Sequence, residues 1–249
     1  MTGDIISAPA GIQTGLHPRP LTRFGDCRKC VRMNRFLDRV LVCAMMATAL
    51  CLAADDAETT VKTTVLVIGD SLSAGYGLRG EKSWVDLLQE RLGSDYQVPN
   101  ASVSGDTTGG GLARIGKTLA TYKPDIVIIE LGGNDGLRGL PIETIRDNLT
   151  AMAEAVIAVE AQPVLAGMLM PPNLGPRYTE AFQQVYEQVA ETTGAALVPF
   201  LLEGVALSEE GLMQDDGVHP NAAAQVRLLD NVWTVLAPLV AKQQTGAAL

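Results

Sequence analysis

The chain has 249 residues, of which 47% are hydrophobic and 19% charged, and its formal net charge at pH 7 is −9. This length supports a full-sized hydrophobic core and predicts one domain, while the apolar content excludes a wholly disordered protein. The acidic balance argues against a nucleic-acid-binding protein, which requires a basic patch or stripe.

The first 54 residues differ in composition from the rest of the chain. Residues 1–39 contain seven of the 19 basic residues, and an uninterrupted run of apolar and small residues extends from Val40 to Ala54. This run is shorter than the ~20 residues that a membrane-spanning helix needs. A basic flank, an apolar centre and small residues at the end are typical of a secretory signal peptide. We therefore predict export to the periplasm or the medium, with no stable membrane span after cleavage; an uncleaved anchor is the alternative.

Met33 starts a compact signal peptide, so residues 33–54 are predicted as the signal and residues 1–32 as an upstream extension. All four cysteines, Cys27, Cys30, Cys43 and Cys51, lie in this leader. A zinc site is not indicated, because no second cysteine pair accompanies the first. His219 is the one histidine of residues 55–249, which makes it the one imidazole available as a base near neutral pH.

Strand and helix patterns alternate along residues 55–249. Runs of β-branched and apolar residues predict strands at Thr63–Ile68, around Gln97–Ala101, and at Ile126–Leu131, Val164–Met168 and Ala196–Phe200. Apolar residues at helical spacing predict helices around Trp84–Leu92, Leu112–Leu119, Ile142–Val159, Tyr178–Val189 and Val226–Val240. The alternation predicts a single domain, a three-layer α/β/α sandwich with a central parallel sheet.

Polar and glycine-rich segments follow the first three strands, at the sheet edge where ligands bind in such folds. Ser71 lies in GDSLSAGYG after the first strand, Gly105 in SGDT after the second, and Asn134 in GGND after the third. A serine on a sharp strand-to-helix turn can act as a nucleophile, whereas a lone serine more often caps a helix. Gly105 allows close approach of a ligand to the backbone, and Asn134 offers a neutral amide donor. Each signal is weak alone.

The segment Asp216-Gly-Val-His219 places a carboxylate three residues before the imidazole. On a tight turn, Asp216 can hold the Nδ1–H tautomer of His219 and leave Nε2 free as a base. In isolation His219 could equally be a surface histidine in a loop. Combined with Ser71, Gly105 and Asn134, the segment completes a nucleophile, a base, its orienting group and a set of oxyanion donors.

The blocks GDSLSAGYG, NASVSGDTTGGGLAR, ELGGNDGLRG and MQDDGVHPN resemble the SGNH (GDSL-type) hydrolase superfamily, and within it the bacterial periplasmic thioesterases, lysophospholipases and arylesterases. The resemblance covers about residues 63–240 and implies a flavodoxin-like sandwich. It implies the triad Ser71, Asp216 and His219, with the Ser71 and Gly105 N–H groups and the Asn134 side chain as oxyanion hole. The implied activity is hydrolysis of acyl esters and thioesters through an acyl-serine intermediate, with neither metal nor organic cofactor.

Three alternatives remain beside this interpretation: a deacetylase of carbohydrates or small esters in the same superfamily, a binding module that keeps the fold without catalysis, and a nucleotide-binding protein. Gly111–Thr118, GLARIGKT, satisfies the phosphate-loop pattern G-x4-G-K-[ST]. However, Leu112, Ile115 and Leu119 run at helical spacing through it, which argues against a loop.

The substrate is expected to be a small-molecule acyl ester or thioester, with a preference for medium to long acyl chains. Seven loop residues are candidate walls of an acyl channel, although ordinary loop packing explains any one of them equally well: Leu78, Leu112, Leu137, Leu140, Met170, Pro171 and Leu174. Nothing in the sequence indicates oligomerisation, and a monomer is favoured.

Overall fold

The computed structural model describes residues 62–206, 208 and 210–246. The predicted leader, residues 1–54, lies outside these residues. In the described part of the chain, no helix is both long enough and apolar enough to cross a membrane.

Five parallel strands form one sheet in the order β2-β1-β3-β4-β5. The strands are β1 Thr63–Gly69, β2 Tyr96–Gln97, β3 Ile126–Glu130, β4 Gln162–Ala166 and β5 Ala196–Val198. This is the flavodoxin-like strand order, in which the direction of winding reverses between β1 and β3. Ligands bind at that reversal, outside the carboxyl ends of the strands, so β1 and β3 are expected to carry the site.

Helices cover both faces of the sheet. The α-helices are α1 Ser71–Ala74, α2 Trp84–Leu92, α3 Thr108–Tyr122, α4 Gly133–Leu137, α5 Ile142–Ile157, α6 Pro176–Thr193 and α7 Gln225–Gly246, with 3-10 helices at Pro172–Leu174 and Ala222–Ala224. Along β3, Val127 and Ile129 pack into a core with α3, α5 and α6, whereas Ile126 and Ile128 pack into a second core with α2 and α7. The predicted three-layer sandwich with a parallel sheet is confirmed.

The second strand is shorter than predicted, because Pro99 cannot donate a hydrogen bond to the sheet. Beyond Gln97 the chain still follows β1: Val67 N–H donates to the Pro99 carbonyl (3.0 Å), and Ala101 N–H donates to the Val67 carbonyl (2.8 Å). One isolated bridge, between Val67 and Asn100, completes this pairing. The chain is thereby held beside β1 up to the turn that contains Gly105.

The structure contains two short helices that the apolar spacing does not reveal, α1 and α4. Each begins directly after a central strand of the sheet, α1 after β1 and α4 after β3. Helices of four or five residues have too few apolar positions to produce a periodic pattern. These two helices present Ser71 and Asn134 at the carboxyl edge of the sheet.

Candidate active site

Ser71 is the first residue of α1 and lies on a sharp turn at the end of β1. The Asp70 side chain caps this helix by accepting a hydrogen bond from Leu72 N–H (3.0 Å). Gly75 ends the helix in a left-handed conformation (φ 73°) that favours glycine. Both ends of α1 are therefore fixed, and Ser71 is held partly exposed at the carboxyl edge of the sheet.

His219 contacts both Ser71 and Asp216. Its Nε2 lies 2.9 Å from Ser71 Oγ, and its Nδ1 lies 2.7 Å from an Asp216 carboxylate oxygen. The other Asp216 oxygen accepts the backbone N–H groups of Val218 (2.9 Å) and His219 (3.0 Å). The structure thus joins a serine and an aspartate that are far apart in the chain through one imidazole, in the order expected from the sequence.

The Asp216 carboxyl is exposed but strongly hydrogen-bonded. The backbone N–H of His219, the His219 ring and the backbone N–H of Val218 lower its pKa from 3.8 to about 2. Because these donors favour the charged form, Asp216 is ionised at neutral pH. An ionised Asp216 accepts the proton of His219 Nδ1, which leaves Nε2 as the acceptor facing Ser71.

Gly105 lies in a turn and Asn134 in the short helix α4, and these are the two other predicted oxyanion donors. Gly105 takes a positive φ of 79° in a turn closed by a hydrogen bond from Asp106 N–H to the Val103 carbonyl (3.0 Å). The Gly105 carbonyl accepts a hydrogen bond from Arg138 (3.2 Å). Asn134 lies in α4 and donates its side-chain amide to Asp70 (2.8 Å). Ser71, Gly105 and Asn134 therefore follow three neighbouring strands, as predicted.

Asp135 fixes α4 against α3. Its buried carboxylate accepts hydrogen bonds from Thr108 N–H (2.9 Å) and from the Thr108 hydroxyl (2.6 Å), and Asn148 donates to that hydroxyl (3.0 Å). The residue next to Asn134 is thus anchored to the start of a neighbouring helix. This anchor restricts where the Asn134 backbone can move.

Glu130, at the end of β3, is a charged residue that the sequence reasoning missed. It is fully buried beneath the turn that carries Ser71, and Asp70 beside it is only 3% exposed. A Cβ atom on Gly69 would lie 2.5 Å from a Glu130 oxygen, so this position at the end of β1 requires glycine. The available signal was a glutamate at the end of an otherwise apolar strand, IVIIE.

Tyr76 and Gln214, also missed, tie the loop after α1 to the loop that carries His219. The Tyr76 ring centroid lies 4.5 Å from that of His219. Gln214 donates through its side-chain amide to the carbonyls of Tyr76 (2.8 Å) and Pro220 (2.9 Å), and its backbone N–H donates to the His219 carbonyl (2.7 Å). The imidazole is therefore held from both its ring face and its backbone.

The seven candidate acyl-channel residues are spread over different environments. Leu78 is buried, Leu112 and Met170 pack against the core, Leu140 is half-buried, and Leu137 and Pro171 are exposed. Leu174 lines a surface cleft of about 450 Å³ together with Ile142, Glu143, Gly175, Pro176, Arg177, Tyr178 and Ala181. Neither Ser71 nor His219 is part of that lining.

The phosphate-loop alternative is wrong. Gly111–Thr118 lies entirely within α3, where backbone N–H groups donate to carbonyls one turn earlier and cannot cradle a phosphate. Metal ligands are also not grouped in the described part of the chain: no three His, Cys, Asp or Glu side chains there are placed to share an ion.

Residues 67–227 match the model of the GDSL-like lipase/acylhydrolase family, which is more than half of the chain. The chain belongs to this family. Among curated relatives of this GDSL-like chain, Esterase TesA of Pseudomonas aeruginosa is 55% identical over 180 residues, covering 71% of this chain and 89% of that protein. Thioesterase 1/protease 1/lysophospholipase L1 of Escherichia coli is 43% identical over 177 residues, covering 71% and 85%.

A solved structure agrees with this membership. The psychrotrophic esterase EstA from Pseudoalteromonas sp., in a structure inhibited by monoethylphosphonate, superposes with a TM-score of 0.68 at 41% identity, covering 72% of this chain and 100% of that one. The predicted family and the predicted enzyme class, a hydrolase of the esterase and thioesterase type, are confirmed.

Proposed function

We propose that this chain hydrolyses acyl esters and thioesters, with Ser71 as nucleophile, His219 as general base and acid, and Asp216 as the group that orients His219. The observation that carries the proposal is the continuous contact from Ser71 Oγ to His219 Nε2 (2.9 Å) and from His219 Nδ1 to Asp216 (2.7 Å). Both distances are within hydrogen-bonding range.

The reaction proceeds in two halves. His219 Nε2 takes the proton of Ser71 as the serine oxygen attacks the acyl carbonyl carbon, and the carbonyl oxygen becomes an oxyanion. His219 then gives the proton to the leaving alcohol or thiol, and the acyl group stays on Ser71. A water molecule, deprotonated by the same imidazole, attacks the acyl-serine, and collapse of the second oxyanion returns the proton to Ser71 and releases the acid.

The oxyanion is assigned to the backbone N–H groups of Ser71 and Gly105 and the side-chain amide of Asn134. Each donor of this kind lowers the barrier by roughly 3–4 kcal/mol. The Gly105 turn and the Asn134–Asp70 hydrogen bond support this assignment, because both fix the donors before substrate arrives.

We propose small-molecule acyl esters and thioesters as substrates, with medium to long acyl chains preferred. The relatives named esterase and thioesterase 1/lysophospholipase L1 support acyl esters and thioesters as the substrate class. Exposed apolar residues after the strands, such as Leu137, are candidates to contact the chain. A deacetylase of carbohydrates or small esters is the competing possibility within the family.

A chain-length series tests this function. We expect p-nitrophenyl esters from acetyl to palmitoyl, and the matching acyl-CoA thioesters, to be hydrolysed, with kcat/KM rising from the acetyl ester to medium and long chains because more apolar surface is buried. Initial rates across the series measure it. Activity on the acetyl ester alone would favour the deacetylase, and inactivity on every ester and thioester would reject the proposal.

We further propose that residues 1–54 direct export and are removed, with the signal in residues 33–54. The basic flank and apolar centre support this proposal. Expression in a Gram-negative bacterium is expected to give a periplasmic or secreted protein beginning near residue 55. Intact mass and N-terminal sequence check this; a full-length protein in the membrane fraction would instead indicate an uncleaved anchor.

A further inference from the structure

Glu130 has one satisfied and one unsatisfied carboxyl oxygen. One oxygen accepts hydrogen bonds from Asp70 N–H (3.2 Å) and from the Ser73 hydroxyl (2.6 Å). The other accepts no hydrogen bond from any donor among the described residues, although it is buried. An unpartnered charged oxygen in this position is costly, so its surroundings suit a carboxylic acid, whose O–H can donate, better than a carboxylate.

The group available to receive that proton is the Asp70 carboxylate, because Asp70 is buried beside Glu130 and its backbone N–H lies 3.2 Å from a Glu130 oxygen. Asp70 accepts hydrogen bonds with both oxygens, from Leu72 N–H (3.0 Å) and from the Asn134 amide (2.8 Å). Neither carboxyl has an ion-pair partner in the described part of the chain. Two adjacent buried carboxyls without a cation hold at most one negative charge. Donors reach both oxygens of Asp70 but only one oxygen of Glu130, which places that charge on Asp70.

The electrostatics of the pair agree with this distribution. Burial, followed by the nearby charge of Asp70, raises the pKa of Glu130 well above its ordinary value of 4.5. Burial also raises the pKa of Asp70, but the Leu72 and Asn134 hydrogen bonds oppose the increase. The other titratable groups that interact electrostatically with this pair are His219, through Asp70, and Tyr186 on helix α6, which also interacts with Asp135.

We propose that Glu130 is a positioning residue: its protonated carboxyl group holds Asp70, and Asp70 in turn fixes the Asn134 amide as an oxyanion donor. One N–H of the Asn134 amide is directed to Asp70, so the direction of the second N–H is set. The inference rests on the proposed function, because it assigns a supporting group to the same oxyanion hole. Glu130 touches no reacting atom and acts through two other side chains.

Four variants test it: Glu130→Leu, Glu130→Gln, Asn134→Ala and the double variant Glu130→Leu/Asn134→Ala. Glu130→Leu is expected to lower kcat about tenfold with little change in KM, because the donor is misdirected in the transition state rather than in substrate binding. Glu130→Gln is expected to stay within about threefold of the wild-type kcat, because its amide can donate to Asp70 as the acid does. In the Asn134→Ala background, Glu130→Leu is expected to cost no further activity.

Either of two kinetic outcomes overturns the proposal: a loss in Glu130→Gln as large as in Glu130→Leu, or multiplicative losses in the double variant. A failure of the proposed function is separately visible, since replacement of Ser71 would then leave ester hydrolysis intact. If Glu130→Leu does not fold, Glu130→Gln decides the question through kcat and a second, non-catalytic measurement.

That measurement is the thermal midpoint of Glu130→Gln and the wild type against pH. A carboxyl with a raised pKa stabilises the fold fully below its unfolded value and loses that contribution as pH rises toward its folded value. The midpoint of Glu130→Gln is therefore expected to increase relative to the wild type between about pH 5 and about pH 8. If the difference in thermal midpoint between Glu130→Gln and the wild type stays constant over this range, Glu130 is ionised in the folded protein, and the proposal fails.

Discussion

Ser71→Ala is expected to reduce kcat for ester hydrolysis by about 10⁶-fold, the scale of loss when the nucleophile of a serine triad is removed. No other described side chain contacts His219 Nε2 in the manner of Ser71 Oγ. Without that oxygen, the imidazole has no bound nucleophile to deprotonate, and acyl transfer to the protein stops. Weak residual hydrolysis is expected, because the oxyanion donors remain in place.

Ser104→Ala is the matched control, since Ser104 is an exposed serine beside Gly105. It is expected to keep ester hydrolysis and to be labelled by a fluorophosphonate probe, as the wild type is. Ser71→Ala should hydrolyse esters only at the weak residual rate and should not be labelled, with an unchanged far-ultraviolet circular dichroism spectrum. Labelling of Ser71→Ala at any other serine, or hydrolysis near the wild-type rate, would place the nucleophile elsewhere.

The sheet explains why the predicted site residues lie close together. Apolar runs such as IVIIE identify buried parallel strands, and parallel strands bring the segments that follow them to one edge. Ser71, Gly105 and Asn134 could therefore be grouped without coordinates. A different argument singles out His219, which is the one histidine of residues 55–249. Its pairing with Asp216 followed from a spacing of three residues, which a tight turn closes.

Features that depend on side-chain contacts between distant segments were not predictable in the same way. Glu130 could be read as the end of a strand, but its contact with Asp70 depends on the register of β1 against β3, which pairs Gly69 with Glu130. The Gln214 hydrogen bond to the Tyr76 carbonyl spans 138 positions of sequence. Neither contact leaves a periodic pattern in the sequence, and both can be identified only from the folded structure.

The prediction of acyl-channel residues is limited because it, too, depends on side-chain packing. The sequence offers apolar residues beside the predicted cleft as channel walls, yet Leu78 is buried and Leu112, in α3, packs against the core. Hydrophobicity alone does not distinguish a residue that lines a channel from one that anchors a loop. The strand register sets the positions of the candidate catalytic groups, whereas loop packing sets which apolar side chains face the candidate site.

Asp216→Asn is expected to lower kcat/KM by roughly 10³-fold to 10⁴-fold, measured on a soluble p-nitrophenyl ester. The asparagine oxygen can still accept the backbone N–H groups of Val218 and His219. Its amide nitrogen, however, faces His219 Nδ1 as a donor and favours the tautomer with the proton on Nε2. That proton points at Ser71 Oγ, so the imidazole can no longer accept the serine proton.

The pH dependence of activity distinguishes a wrong tautomer of His219 from the loss of a negative charge alone. Because the Asp216 pKa is lowered to about 2, the carboxylate is ionised throughout the neutral range. Its contribution to stability is present above the ordinary value of 3.8 and is lost as the pH falls toward 2. The loss of activity in Asp216→Asn is therefore expected to persist at every pH at which the wild type is active. Recovery at lower pH would argue for a general charge effect, because removing a nearby negative charge favours the neutral imidazole.

Asp215→Asn is the matched control, because it removes the same charge from the preceding residue, which is also exposed. It is expected to keep kcat/KM within about threefold of the wild type, as an exposed charge without a specific partner contributes little. Equal losses in the two variants would mean that the negative charge of the loop, and not the Asp216–His219 contact, supports the base. A loss confined to Asp216→Asn assigns the orientation of His219 to that single carboxylate.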